Sequence, residues 1–371
     1  MEQLFLEQLY RQIAPHAAHS DVDGCFPEME FAVIKKAGLL GITLPENQLS
    51  FDKSKTKELL SLLKMIGKAS LPAGRIYEGH VNALHLVFLF GNSCQKQRWF
   101  ADATNDQKLF GVWNTQDSDG VRIYDLGNGK YKLEGSKTFC SGASWIQRPL
   151  ITGELVSRTK RGWQMCIIPV EKVKSIRADP SFWKPLGMKA SASFKMDFTG
   201  IVLEENDILG PPDAYYRQPY FSGGALRFAA VQLGGAESVM DQTHQFLRAA
   251  RRTADPFQRA RIAEISYLVE TGNLWLNQAG VKLDEWQKKS GTSQQITTYA
   301  SMTRTMIEDI CLRTMQLAER SVGSRGLMKP HALERVHRDL TTYLRQPAPD
   351  ATVTSIGEYV LNQEITTQLW D

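Results

Sequence analysis

The hydrophobic repeat changes its period twice along the chain, and that constrains the fold more than any other feature. In the last third, Leu226, Leu233, Met240 and Leu247 recur every seven residues, and Ile262, Val269, Leu276 and Leu283 repeat the spacing in the next segment. Seven-residue stripes on successive long segments predict antiparallel helices packed in a bundle. Ile296–Val322, His331–Arg345 and Val353–Gln363 extend the pattern. Residues 1–108 also read as helices: Met1–Ile13, Glu28–Gly38, Lys53–Ile66 with its Leu59, Leu60, Leu62, Leu63, Ile66 stripe, Ile76–Phe90 and Gln95–Phe100. Between them the period falls to two. Lys130–Gly135 and Phe194–Leu203 alternate, and Trp163–Val170 is a continuous apolar run, with turn material such as Gly127-Asn-Gly129 between them. The expectation is a mainly helical, multidomain α+β protein. It has an N-terminal helical domain (1–108), a central antiparallel β-barrel (109–213) and a C-terminal helical bundle (214–371).

Composition narrows the class of function. Forty-four Lys and Arg against 40 Asp and Glu leave +4 over 371 residues, too diffuse for a nucleic-acid field or a polybasic membrane anchor. No apolar run approaches the ~20 residues of a membrane helix. MEQLFLEQLYRQ reads as an amphipathic helix and not as a secretory leader. Cys25, Cys94, Cys140, Cys166 and Cys311 form neither a C-x-x-C pair nor zinc spacing, so buried, reduced thiols, a cytoplasmic setting and no metal are expected.

Six segments in order resemble the acyl-CoA dehydrogenase superfamily of flavoproteins. They are Ala37-Gly-Leu-Leu-Gly-Ile-Thr-Leu-Pro-Glu46, Gly91 with Gln95 and Gln97, Gly135-Ser-Lys-Thr-Phe-Cys-Ser-Gly-Ala143, Leu186-Gly-Met-Lys-Ala-Ser-Ala-Ser193, Asp207-Ile-Leu-Gly210 and Arg335–Asp339. The resemblance implies an FAD-dependent oxidoreductase and assigns flavin roles. Trp113, Asn114 and Thr115 stand on the strand that meets the flavin's pyrimidine edge. Phe139 and Ser141 stand where the family has a flavin-stacking Trp and a hydroxyl. Arg252, Arg320, Gly323 and Ser324 fall in the segments that meet adenine and pyrophosphate, partly from a neighbouring subunit. A homodimer or homotetramer follows, and Ser118 and Arg227 are candidate substrate contacts.

The family's catalytic Glu is missing. Its position falls on Pro347, and the alternative position, before Arg227, is Leu226. Asp350 is the nearest acid and otherwise reads as an N-cap for the last helix. A simple α,β-dehydrogenation of an acyl-CoA thioester needs a carboxylate base. The resemblance also extends to a flavin-dependent monooxygenase branch that needs none. That branch implies FAD or FMN, a flavin reductase partner and a small-molecule substrate. His80 and His85 resemble a histidine-bearing helix of its desulfurising enzymes and are candidate catalytic residues, since imidazoles near a flavin can tune the protonation of oxygen species. A non-catalytic binding or assembly subunit is the third reading.

Overall fold

The computed structural model describes residues 3–173, 176–345 and 349–370. Five helices come first: α1 (Gln3–Ile13), α2 (Glu28–Lys36), α3 (Thr56–Ala69), α4 (Leu71–Phe90) and α5 (Ser93–Thr104). Ten strands follow, from β1 (Phe110–Trp113) to β10 (Ile208–Leu209). The chain closes with α6 (Tyr220–Gly223), α7 (Ala225–Ala249), α8 (Pro256–Trp286), α9 (Ser293–Gly326), α10 (Ala332–Tyr343) and α11 (Pro349–Leu361).

The β region departs from the expected antiparallel barrel. Seven strands form one open sheet and β4 (Ser136–Cys140), β7 (Arg177–Asp179) and β8 (Phe194–Asp197) form a second, with no closure between them. The large sheet is mixed. One edge of β5 (Arg148–Val156) pairs antiparallel with β6 (Trp163–Ile167). Its other edge takes β1 and then β2 (Arg122–Gly127), both parallel. Alternation of side chains cannot distinguish these cases, because it reports faces and not strand direction. The run Phe194–Leu203 also divides, at Gly200 (φ +90°), into β8 and β9 (Val202–Glu204).

The helical stripes pack as expected. Leu226, Leu233, Leu247, Val269, Leu276 and Leu283 are all buried. Helices α3 and α7 touch through glycine: a Cβ at Gly234 would stand 2.1 Å from the Lys64 carbonyl oxygen. Only a missing side chain permits so close a backbone approach. A second, smaller core joins α4 and α5 to the large sheet through Leu84, Val87, Trp99, Phe110, Leu150 and Ile167.

One buried cation ties these layers. Arg148 on β5 is 2% exposed; its Nε donates to Asp102 on α5 at 2.6 Å and its fork meets Glu171 at 2.6 Å twice. Burial disfavours the guanidinium charge, but the two carboxylates outweigh it and hold the pKa above its usual value.

No helix among the described residues is long and apolar enough to cross a membrane. The cysteines are unpaired, but not all are buried as expected: Cys94 is exposed and Cys25 half-buried.

Candidate active site

Helix α4 is the spine of the site. Ser70 caps it, its side chain accepting from the Ala73 N–H, and Pro72 sits in the first turn, where no amide donor is lost. One face of α4 buries His80 completely. His80 Nε2 donates to the Leu40 carbonyl at 2.8 Å, and Nδ1 accepts from the Phe110 amide at 3.1 Å. Both ring nitrogens are used, and burial lowers the pKa to about 4. His80 therefore joins the Gly38–Gly41 turn to β1 as a neutral core residue, and it offers no free nitrogen to a ligand.

The next face carries Glu78, Asn82 and His85. Glu78 is 2% exposed and receives Arg75 Nη1 at 2.5 Å. Asn82 bridges two charges: its Nδ2 donates to Glu78, and its Oδ1 accepts from Arg227 Nε at the start of α7. Burial lowers the Arg227 pKa to about 10, against the favourable influence of Glu78. Burial, and then the Arg227 charge, push His85 well below its ordinary value, so it is neutral at pH 7. His85 and Arg227 both line a cavity of about 190 Å³, with Phe51, Leu226 and Leu283 among its apolar walls. The His85 ring packs 4.6 Å from Phe51 and edge-on to Tyr220 at 6.4 Å. Two candidates from separate segments thus share one pocket. Leu226, at one position where the family carries a base, is buried in the core. Pro347, at the other, lies outside the described residues. Asp350 is not an N-cap. It follows Pro349 inside the first turn of α11, on a helix that packs against α9, and its side chain is exposed.

The end of β1 forms a second polar cluster. Asn114 Oδ1 accepts from Thr152 at 2.5 Å and from the Trp163 indole at 3.3 Å, and Asn114 Nδ2 reaches Tyr216 at 3.4 Å. The fully buried Lys137 donates to the Asn114 carbonyl at 2.9 Å and to Gln116 at 2.6 Å, and burial lowers its pKa to about 8. Trp113 is buried, its indole donating to the Ser141 carbonyl at 3.0 Å. The side chains of Trp113 and Asn114 are therefore committed to the protein. Thr115 and Ser118 are exposed beyond the strand.

On β4 the ring of Phe139 is 52% exposed, standing edge-on to Phe182 and Trp183. Its φ of +54°, with +58° at Met188 and +41° at Ala192 on the adjoining Met188–Ala192 turn, brings left-handed backbone from two segments together, as functional sites often do. Ser141, Ser193 and Ser191 form a hydroxyl chain at 2.9 and 2.8 Å, while buried Thr138 Oγ1 has no partner. An open aromatic face near hydroxyls fits a planar heteroaromatic ring such as a flavin. Asp339 fixes this segment from the bundle, accepting from the Met188 amide at 2.5 Å. Burial raises its pKa to about 6.

The segments assigned to adenine and pyrophosphate do come together. Arg252, after α7, donates to the Ser321 carbonyl at 3.4 Å, and Arg261 donates to that of Arg320 at 3.2 Å. Arg252 also pairs with Asp255 at 3.3 Å. Arg320, Gly323 and Ser324 are exposed, and Gly323 (φ 60°, ψ −167°) breaks α9 there. The hydrogen bonds of this arginine cluster stay within the turn after α7, α8 and α9; within one chain they do not join it to Phe139.

Glu78, Asn82 and Lys137 were not singled out by the sequence. Glu78, Asn82 and His85 do carry a signal, since i, i+4 and i+7 share one helix face. An acid and an amide on an otherwise apolar helix mark a buried polar network.

Residues 3–107 match the family model described as acyl-CoA dehydrogenase, N-terminal domain, and residues 215–344 match acyl-CoA dehydrogenase, C-terminal domain. Among relatives, the probable acyl-CoA dehydrogenase YngJ of Bacillus subtilis is 23% identical over 341 residues, covering 89% of this chain and 88% of its own. The probable FMNH2-dependent monooxygenase SfnC of Pseudomonas putida is 23% identical over 382 residues, covering 96% and 94%. The FMN-bound structure of TdsC from Paenibacillus sp. A11-2 superposes with a TM-score of 0.86 at 18% identity, covering 99% of this chain and 98% of that one. Two domain models that together span more than half of the sequence, in the order the fold requires, make this chain a member of the acyl-CoA dehydrogenase-like superfamily.

Proposed function

We propose that the protein is a flavin-dependent monooxygenase built on the acyl-CoA dehydrogenase fold, working in the cytoplasm on a small molecule, with reduced flavin supplied by a separate reductase. The observation that carries this reading is the make-up of the pocket beside α4. A dehydrogenase needs a carboxylate free to take an α-proton. Of the carboxylates on the pocket's lining, Asp284 is held by the amide and hydroxyl of Thr56 and Asp52 stands on the exposed rim, while Glu78, behind the lining on α4, is held by Arg75 and Asn82. What the pocket offers is a neutral imidazole and a guanidinium. The similarity to SfnC and TdsC agrees with this reading and favours FMN over FAD.

A bound flavin, once reduced, supplies the electrons that activate oxygen. The chain's part is binding and placement. Phe139 offers a ring face, Thr115 and Ser141 offer hydroxyls, and Asp339 holds the Met188–Ala192 backbone that backs them. His85, neutral and half-buried beside Phe51, can donate one hydrogen bond and accept another. Arg252 and Arg320 of a second copy would meet the cofactor's phosphate. The exposed Tyr267, Leu274 and Leu312 of the bundle are suited to pack against that copy.

The test is direct. Protein supplied with FMN, NADH and a flavin reductase should take up oxygen on adding substrate, and an acyl-CoA should not bleach its flavin anaerobically. Bleaching by an acyl-CoA would restore dehydrogenation. Protein that binds neither FMN nor FAD would leave the binding-subunit reading.

A further inference from the structure

The pocket beside α4 contains an unbalanced charge. Arg75 and Arg227 share a single carboxylate, that of Glu78, and only Arg75 touches it directly. Asn82 stands between Glu78 and Arg227, so the second guanidinium meets an amide oxygen through Nε and no carboxylate. No hydrogen bond from either Arg227 Nη is found among the described residues. Three formal charges in this enclosed cluster thus sum to one positive charge. A half-buried guanidinium without a counter-ion is costly, and the lowered Arg227 pKa reflects that cost.

The surroundings indicate what could balance it. Gly223 also lines the cavity, and a Cβ built there meets nothing within 4 Å, so the cavity is open beside it. A Cβ at Gly224 would lie 3.1 Å from Arg227 Nη2, so the small residue there lets the fork lie against the backbone. Ser50, 1% exposed, lines the same cavity, and its hydroxyl has no hydrogen-bond partner. The apolar part of the lining is made by Leu49, Phe51, Leu59, Leu60, Leu226 and Leu283. Of the acids on the lining, Asp284 is satisfied by Thr56 and Asp52 is on the exposed rim, where Lys53, Lys55 and Lys288 outnumber it.

We infer that this cavity binds a small organic anion, its acid group on the Arg227 fork and its apolar part against Phe51, Leu226 and Leu283. Given the monooxygenase reading, on which this rests for its role, the substrates belong to the class of compact carboxylates or sulfur oxyanions with a hydrocarbon portion. A planar guanidinium suits such groups because it donates two parallel hydrogen bonds. Neutral aromatics of the same size would leave the charge unbalanced.

Calorimetric titration of the flavin-loaded protein tests this without turnover, using benzoate and its neutral isostere benzamide. Wild type should bind benzoate at least tenfold more tightly than benzamide. Arg227→Gln should remove that preference, since a charge-assisted pair contributes about 1.5–3 kcal/mol, or roughly 10- to 100-fold. Arg227→Lys, which keeps the charge and loses the fork, should retain part of it, and it serves if the Gln variant does not fold. Equal binding of the two ligands by wild type, or benzoate affinity unchanged in both variants, would overturn the inference. Oxygen uptake decides the monooxygenase reading separately. A benzoate preference that depends on Arg227, in a protein showing no oxygen uptake, would keep the anion site and remove its proposed role.

Discussion

His80 is neutral and buried, and this has a consequence in acid. Its two nitrogens join Leu40 and Phe110, and its pKa is near 4 in the fold, against an ordinary 6.5. As the pH falls, the unfolded chain takes the proton first. The stability due to this group is therefore complete above about pH 6.5 and is lost as the pH falls through 4. Between pH 7 and pH 5 the loss is about 2 kcal/mol, or roughly 30-fold in an opening equilibrium. His80→Gln keeps one donor and one acceptor but cannot ionise. At pH 7 it should cost about 1–2 kcal/mol, from imperfect reach to one of the two partners. From pH 7 to 5 it should lose about 2 kcal/mol less than wild type. Hydrogen exchange of the segment around Phe110, corrected for intrinsic rates, gives a local reading in a chain of several packing units. Exchange that accelerates equally in acid for both proteins would refute the argument. So would a variant with unchanged protection that has lost flavin-dependent oxygen uptake, because His80 would then act on the chemistry.

Three other perturbations have definite signs. Arg148→Met should destabilise the junction of α5, β5 and the Glu171 turn by about 1–3 kcal/mol, read as a lower urea midpoint, because Asp102 loses the buried one of its two cationic partners and keeps Lys108. Gly234→Ala places a methyl 2.1 Å from the Lys64 carbonyl oxygen and should cost about 3 kcal/mol; Gly357→Ala, on exposed α11 with nothing within 4 Å, should gain about 0.5–1 kcal/mol. Asp339 has the opposite acid response to His80. Its folded pKa is raised, so its contribution is greatest below about 4 and is lost as the pH rises through 6, on the order of 3 kcal/mol in all. Asp339→Asn keeps an oxygen for the Met188 amide, so its thermal midpoint should fall less than that of wild type between pH 4 and 7.

The parts legible in the sequence were those set by periodicity. A seven-residue stripe can be buried only on one helix face, so Leu233, Val269 and Leu276 indicated the bundle without further information. The open, mixed sheet that replaces the expected antiparallel barrel was not legible, because the pairing of β5 with parallel β1 on one side and antiparallel β6 on the other depends on distant hydrogen bonds. At the site, the family resemblance pointed to His85 and Arg227 but could not show that they share a cavity. His80 looked equivalent to His85 in the sequence. The difference between them is which backbone groups lie opposite, and the partners Leu40 and Phe110 are 40 and 30 residues away.

The missing base and the unbalanced arginine have one physical explanation. A carboxylate placed beside the Arg227 guanidinium would be attracted to it, which would lower its pKa and weaken it as a base, whereas Asp284 on the same lining is out of that influence and has its pKa raised by burial. At Leu226 the chain has an apolar side chain instead, and Asn82 keeps Glu78 away from the guanidinium. The arrangement thus retains the arginine's charge and gives up proton abstraction. That suits a reaction in which the protein must hold an anion still while oxidation is supplied from outside the side chains. A carboxylate introduced by Leu226→Glu should therefore pair with Arg227, and the benzoate preference of the pocket should fall with it. If benzoate binding were undiminished in that variant, the anion would be held elsewhere.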